Sequence, residues 1–328
     1  MKLLITGPFD DDVAAEMFSA GAELVRIDPA EDDLVEVALR DADGYVLGGQ
    51  ETVTREMVEN AARLRSIVFL GEQPDTFLGP GVKELLAERG ISLESTPGSA
   101  TNAVAEMACA LILCGLRRIP FLVGETRRFR WPTLTGEELC GSTIGIYGMG
   151  KIGYTVVERL VGFEFETVLY SDVVPSTRAE SDFGAQRVEL SELFSQSDVV
   201  SLHAPLTPET EGSIGDYLLG LMRPWAVLVN TARAGIVDPH SLRRALSEGW
   251  LYAAAFDGYY LEGSRYLSGD DPYGLLEMRD RFFLTSHQAF NTRGAIRRAS
   301  EMALEKLTPL FAGSVPGAEQ KGSAAASA

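Results

Sequence analysis

Histidine and cysteine are scarce in this 328-residue chain, three of each, and its 29 basic residues are outnumbered by 47 acidic ones. Cys109, Cys114 and Cys140 are odd in number and two of them sit in an apolar helical run, so neither a disulfide framework nor a four-ligand zinc site is expected, and no metal is implied. The formal charge of -18, with arginines scattered or in short pairs such as Arg127-Arg128 and Arg297-Arg298, argues against a nucleic-acid partner. No run reaches the roughly 18 uninterrupted apolar residues of a membrane span. Met1 to Thr6 is too short an apolar stretch for a signal-peptide core, so a reducing, cytoplasmic location is expected.

Short apolar segments alternating with amphipathic ones dominate the rest. Leu3 to Thr6, Glu23 to Ile27, Gly44 to Leu47, Ser66 to Leu70 and Ile91 to Glu94 read as strands with helices between them, giving an open parallel α/β domain over residues 1–97. Pro97-Gly98 breaks the pattern. A helix from Thr101 or Asn102 to about Arg118 is apolar nearly all round, which marks it as buried, and it reads as a connector between domains. A second series begins at Thr143, with strands at Thr143 to Tyr147, Thr167 to Ser171, Val199 to Leu202, Ala226 to Asn230, Tyr252 to Phe256 and Phe282 to Thr285. This is the pattern of a doubly wound sheet. The fold class is therefore α/β, with two doubly wound parallel-sheet domains. Residues 98–287 form the second domain, inserted into a first domain of residues 1–97 and 288–312. Residues 313–328, rich in Gly, Ser and Ala without an apolar period, read as a disordered tail.

Gly148-Met149-Gly150-Lys151-Ile152-Gly153 follows a strand and opens a helix, the setting in which this spacing binds dinucleotides. Gly148 permits the tight turn, Gly150 lets the backbone approach a pyrophosphate, Gly153 lets helix and strand pack, and the helix N-terminus attracts the phosphates. Asp172 ends the next strand 19 residues beyond Gly153. A carboxylate there accepts from ribose hydroxyls and repels a 2'-phosphate, which predicts NAD over NADP, although a one-residue shift would put Ser171 in its place.

With only His203, His240 and His287 available, the search for a group that moves protons near neutral pH is short. His240 follows Asp238-Pro239 at a helix start and reads as a surface residue. His203, in His203-Ala204-Pro205-Leu206-Thr207-Pro208, and His287 both lie at strand ends on the carboxyl edge of the second sheet, where such folds bind ligands.

Several motifs together resemble the D-isomer-specific 2-hydroxyacid dehydrogenases. They are Asn102 to Glu106, Leu139 to Ile146 leading into the glycines, His203 to Thr210, Asn230-Thr231-Ala232-Arg233, and Asp257 with Glu262 five residues on. His287-Gln288-Ala289-Phe290-Asn291-Thr292 is most similar to the lactate-dehydrogenase-like branch. The resemblance implies a Rossmann domain within a flavodoxin-like substrate domain, a homodimer formed through the cofactor domain, and a 2-oxo or 2-hydroxy acid substrate. It assigns Arg233 to the substrate carboxylate and carbonyl, His287 to proton transfer and Glu262 to a hydrogen bond with His287. Cofactor contacts are implied for Gly148, Gly150, Lys151, Ile152, Gly153, Asp172, His203, Pro205, Thr231, Arg233 and Asp257. A guanidinium fork suits a carboxylate, and a carboxylate beside an imidazole favours its charged form.

Where family members carry a Gly-x-Gly turn whose amides bind the substrate carboxylate, this chain has Gly71-Glu72-Gln73-Pro74-Asp75. The amides of Glu72 and Gln73 remain available, and the acid at 72 suggests a substrate with a hydroxyl or amino group, unless Arg293 offsets its charge or the side chain caps the turn. Gly258-Tyr259-Tyr260 and the extension from Ser264 to Asp271 could line a pocket or decorate the surface. Two other readings compete: a dehydrogenase of a phosphonate or phosphite-like substrate, and a non-catalytic NAD-sensing corepressor-like binding protein.

Overall fold

The computed structural model describes residues 1–28, 30–49, 51–261 and 269–312. Glu262, the segment 264–268 and the tail expected over 313–328 lie outside the described residues. The chain divides into two compact units, Met1–Ala100 with the segment from Arg293, and Thr101–Thr292.

The first unit is a five-stranded parallel sheet in the order β2-β1-β3-β4-β5, with β1 Lys2–Thr6, β2 Glu23–Ile27, β3 Gly44–Leu47, β4 Ser66–Phe69 and β5 Ser92–Ser95. Alternation along β1 divides its side chains between two cores. Leu3 and Ile5 pack with Val13, Met17, Ala303 and Leu307, while Leu4 packs with Leu39, Tyr45, Met57 and Leu86 on the other face. Every residue of β3 and β4 is buried, as expected for central strands covered by helices on both sides. The first helix, α1 Asp11–Ser19, starts where Asp10 accepts from the amides of Asp12 and Val13. Strand order reverses between β1 and β3, the flavodoxin-like arrangement.

The second unit is a seven-stranded parallel sheet. Its strands are β6 Thr143–Tyr147, β7 Thr167–Ser171, β8 Gln186–Arg187, β9 Val199–Leu202, β10 Val227–Asn230, β11 Ala253–Asp257 and β12 Phe282–Thr285. They lie in the order β12-β11-β10-β9-β6-β7-β8, a doubly wound Rossmann sheet extended by one strand. The sequence pattern does not announce β8, whose two residues are exposed.

The apolar helix after Pro97-Gly98, expected to be buried and to connect the domains, spans Thr101–Arg117 at the start of this unit and packs into its core. Its Ala105, Ala108, Leu111, Ile112 and Leu116 join Ile144, Ile146, Val156 and Val227 in one cluster. The helix ends beside Arg118, as expected. Arg118 adopts φ 47°, its guanidinium lies 3.9 Å from the Tyr252 ring centre and donates to Tyr252 O at 3.1 Å, and a second helix, Ile119–Thr126, leaves at a bend of 64°. The following segment carries Phe129 and Trp131, 99% and 88% exposed, and is anchored by the pairing of Arg130 with Glu125 and by Tyr252 Oη donating to Thr135 O at 2.6 Å. Among the described residues no single helix is long and apolar enough to cross a membrane.

Candidate active site

Because all seven strands of the second unit run parallel, their carboxyl ends share one edge. The register aligns Tyr147 with Leu202, Leu202 with Asn230, Asn230 with Phe256 and Phe256 with Leu284. The glycine loop, His203, the Thr231-Arg233 turn, Asp257 and His287 therefore emerge side by side from β6, β9, β10, β11 and β12.

The glycine loop is shaped by close approach. Gly148 has φ 96°, and a Cβ there would lie 2.6 Å from Ala204 N. One on Gly153 would lie 2.3 Å from Gly148 O, so the helix of Lys151–Leu160 can start only if both positions lack side chains. Nothing lies within 4 Å of a Cβ on Gly150, which leaves its backbone open to a ligand. Lys151 and Ile152 form the first turn of that helix, whose free amides suit phosphates. Asp172 directly follows β7, and its Oδ2 accepts from Met149 N at 2.7 Å while Oδ1 accepts from Val174 N at 3.1 Å. A carboxylate touching the glycine loop and an open glycine beside a helix N-terminus fit an adenine dinucleotide.

His203 is held between two hydroxyls, with Nε2 2.9 Å from Ser201 Oγ and Nδ1 3.4 Å from Thr231 Oγ1. Burial pushes its pKa down to about 3, so it stays neutral at working pH and is unsuited to proton transfer. Pro205 is exposed, and its carbonyl accepts from Thr210 Oγ1 at 2.7 Å, which braces the loop over residues 205–210.

The turn carrying Arg233 is tied by Asn230, which the sequence motif contains without revealing its role. Asn230 Oδ1 accepts from Ala232 N and its Nδ2 donates to Arg233 O, both at 2.9 Å. An Asn at a strand end that bonds the amide two residues on is a recognisable turn signal. Arg233 itself is half-buried and donates from Nη1 to Ala232 O at 2.8 Å.

His287, also half-buried, adopts φ 55°, a left-handed conformation uncommon outside glycine. The surrounding turn is gripped by Asp257, which is 4% exposed. Asp257 Oδ1 accepts from Thr285 Oγ1 at 2.6 Å and from Gln288 N at 2.8 Å, and Oδ2 accepts from Ala289 N at 2.7 Å. A carboxylate has about four lone-pair sites, so one remains for a further donor. β11 lies between β10 and β12, which sets Asp257 between the strands that lead to Arg233 and His287. The Phe290 ring meets the imidazole edge-on at 6.0 Å. Glu262, the expected partner of His287, lies outside the described residues.

Tyr259 is 5% exposed within the core, and its hydroxyl donates to Asp271 Oδ1 at 2.5 Å. Tyr260 is a part-buried neighbour whose hydroxyl donates to Val237 O at 2.9 Å. These two tyrosines pack the interior. His240 is exposed, its ring 5.5 Å from that of Tyr273, in line with a surface residue.

In the first unit, Glu72 and Gln73 are exposed in the loop after β4, and Glu72 Oε1 accepts from Gly98 N at 2.6 Å. Arg293 is exposed at the start of the helix Arg293–Ala312.

Comparison with known proteins matches residues 109–289 to the model of the "D-isomer specific 2-hydroxyacid dehydrogenase, NAD binding domain". The chain is 34% identical over 284 residues to a glyoxylate reductase of Korarchaeum cryptofilum, covering 85% of this chain and 82% of that one. It is 32% identical over 316 residues to a D-3-phosphoglycerate dehydrogenase of Methanocaldococcus jannaschii, covering 95% of this chain but only 58% of that longer protein. Among solved structures it resembles the apo form of D-lactate dehydrogenase from Escherichia coli, with a TM-score of 0.80 and 26% identity over 96% of this chain and 98% of the other.

Proposed function

The chain belongs to the D-isomer-specific 2-hydroxyacid dehydrogenase family, and from that premise we propose that it reduces a 2-oxo acid to the D-2-hydroxy acid with NADH, or runs the reverse reaction. NAD(H), when bound, supplies the hydride carrier. Gly148, Gly150, Lys151, Ile152, Gly153 and Asp172 would hold it, with His203 and Thr231 framing the same edge.

Arg233 would align the substrate by a two-point grip on its carboxylate, which stays charged at any working pH. His287 would give its proton to the alkoxide oxygen as the carbonyl is reduced, and take it back in the reverse direction. Glu262 would favour the charged imidazole before transfer. The observation that carries this reading is the clustering of Arg233, Asp257 and His287 on three neighbouring strand ends of the sheet that also bears the glycine loop.

The test is the loss of NADH absorbance against a panel of 2-oxo acids, glyoxylate and pyruvate among them. His287→Ala should lose nearly all turnover while still binding NADH. Unchanged turnover would refute the assignment, and a wild-type protein that binds NADH but reduces no 2-oxo acid would favour a sensing role.

The finer parts of the reading are a cytoplasmic setting and a homodimer. The dimer would use the face bearing Ile119, Val123, Phe129 and Trp131, all exposed apolar side chains. Light scattering that returns the mass of a single chain would refute it.

A further inference from the structure

At the far edge of the seven-stranded sheet, β8 holds an exposed arginine with an unusual set of partners. Arg187 donates to Asp172 O from Nε at 3.2 Å and from Nη2 at 2.7 Å, and Nη2 also reaches Val173 O at 3.2 Å. It thus spans two successive main-chain carbonyls. The segment it grips has little apolar packing of its own, because Val173 and Val174 are 92% and 65% exposed. Polar ties hold it instead: Arg187 on the main chain, Asp172 Oδ2 on Met149 N, and Tyr170 Oη accepting from Ser176 N at 2.9 Å.

Solvent could satisfy carbonyls on this part-exposed segment, so hydrogen-bond satisfaction alone does not require the arginine. What its planar fork adds is a fixed direction for the end of β7, and a point-charge lysine cannot bridge two carbonyls in the same way.

We propose that Arg187 is a positioning residue that sets cofactor preference. By fixing the Asp172-Val173 backbone it holds the Asp172 carboxylate where the adenosine ribose hydroxyls arrive, and so favours NADH over NADPH. The proposal rests on Asp172 as the ribose ligand, within the function proposed above.

Fluorescence titration of the full chain with NADH and with NADPH, without a 2-oxo acid, tests it. Arg187→Ala should weaken NADH binding by about tenfold, the scale of one charge-assisted hydrogen bond, and leave NADPH binding nearly unchanged, so that the affinity ratio contracts by the same factor. Arg187→Lys keeps the charge but loses the fork, and should behave like Arg187→Ala. Arg178→Ala removes a nearby cation that stacks on Tyr154 and should keep the wild-type ratio.

An unchanged ratio in Arg187→Ala overturns the proposal. So does a wider ratio, which would make Arg187 a phosphate-binding cation, or a ratio restored by Arg187→Lys, which would make the effect one of charge. A wild-type protein that binds NADH yet reduces no 2-oxo acid defeats the functional reading and leaves this one standing. Failure to bind NADH overturns both.

Discussion

Replacing Asp257 by Asn removes a charge and almost no volume, yet it should disable the turn that carries His287. The carboxylate accepts three hydrogen bonds, two on Oδ1 and one on Oδ2. An amide has a single acceptor oxygen. If it keeps Thr285 and Gln288, its Nδ2 faces the amide of Ala289, donor against donor, and Ala289 is 3% exposed. An unsatisfied buried donor costs about 1–3 kcal/mol, and the two surviving bonds weaken as their acceptor becomes neutral. The same bonds hold His287 at φ 55°, a conformation that costs about 1–2 kcal/mol. Relaxation of the turn to negative φ would relieve that strain and swing the imidazole away. Asp257→Asn should therefore lose about 2–4 kcal/mol of stability, lowering Tm by roughly 5–10 °C. kcat should fall by about 100-fold, the usual consequence of a displacement near 1 Å in a reacting group. Differential scanning fluorimetry and NADH-coupled turnover measure the two effects separately. A variant with wild-type Tm and turnover within about twofold would show that the three hydrogen bonds do not govern the turn.

Two other perturbations follow from the structure. His203 binds a proton far less readily folded than unfolded, since burial lowers its pKa from 6.5 to about 3, so its contribution to stability is full above pH 6.5 and is lost as the pH falls toward 3. The slope approaches about 1.4 kcal/mol per pH unit, and between pH 6.5 and 5 the protein should lose up to about 2 kcal/mol that His203→Gln does not lose, as urea unfolding at each pH would reveal. Carboxylates such as Asp198, where burial is outweighed by hydrogen bonds from Thr143 N, Arg223 and Trp225, act at lower pH and leave this window clear. Glu72→Gln retains an acceptor for Gly98 N but not the charge, so the loop should stay in place while KM for 2-oxo dicarboxylic acids falls severalfold relative to pyruvate; identical KM ratios would remove Glu72 from the list of specificity residues.

The periodic features were legible in the sequence. Apolar strands separated by amphipathic helices, and a glycine cluster between strand and helix, are local patterns that carry their own signal, and the strands lie within a residue or so of their expected bounds. What escaped depends on distant partners. β8 is two exposed residues on a sheet edge, without alternation to reveal it. The end of the long apolar helix near Arg118 is legible, but the bond that holds Arg118 to Tyr252, 134 residues away, is not. The resemblance places Asp257 at the cofactor, but its grip on Thr285, Gln288 and Ala289 exists only once β11 and β12 pair. Arg187 likewise acquires a role only when β8 docks against β7.

The positive φ at His287 has a consequence for redesign. The backbone at this position screens candidates before chemistry does, because Gly, Asn and Asp tolerate such geometry whereas β-branched and bulky side chains resist it. A lysine or tyrosine introduced as an alternative proton donor would change the acid and distort the main chain together, and its failure would not say which was responsible. Asparagine, conformationally at ease there and unable to titrate, isolates the contribution of the imidazole more cleanly than alanine does.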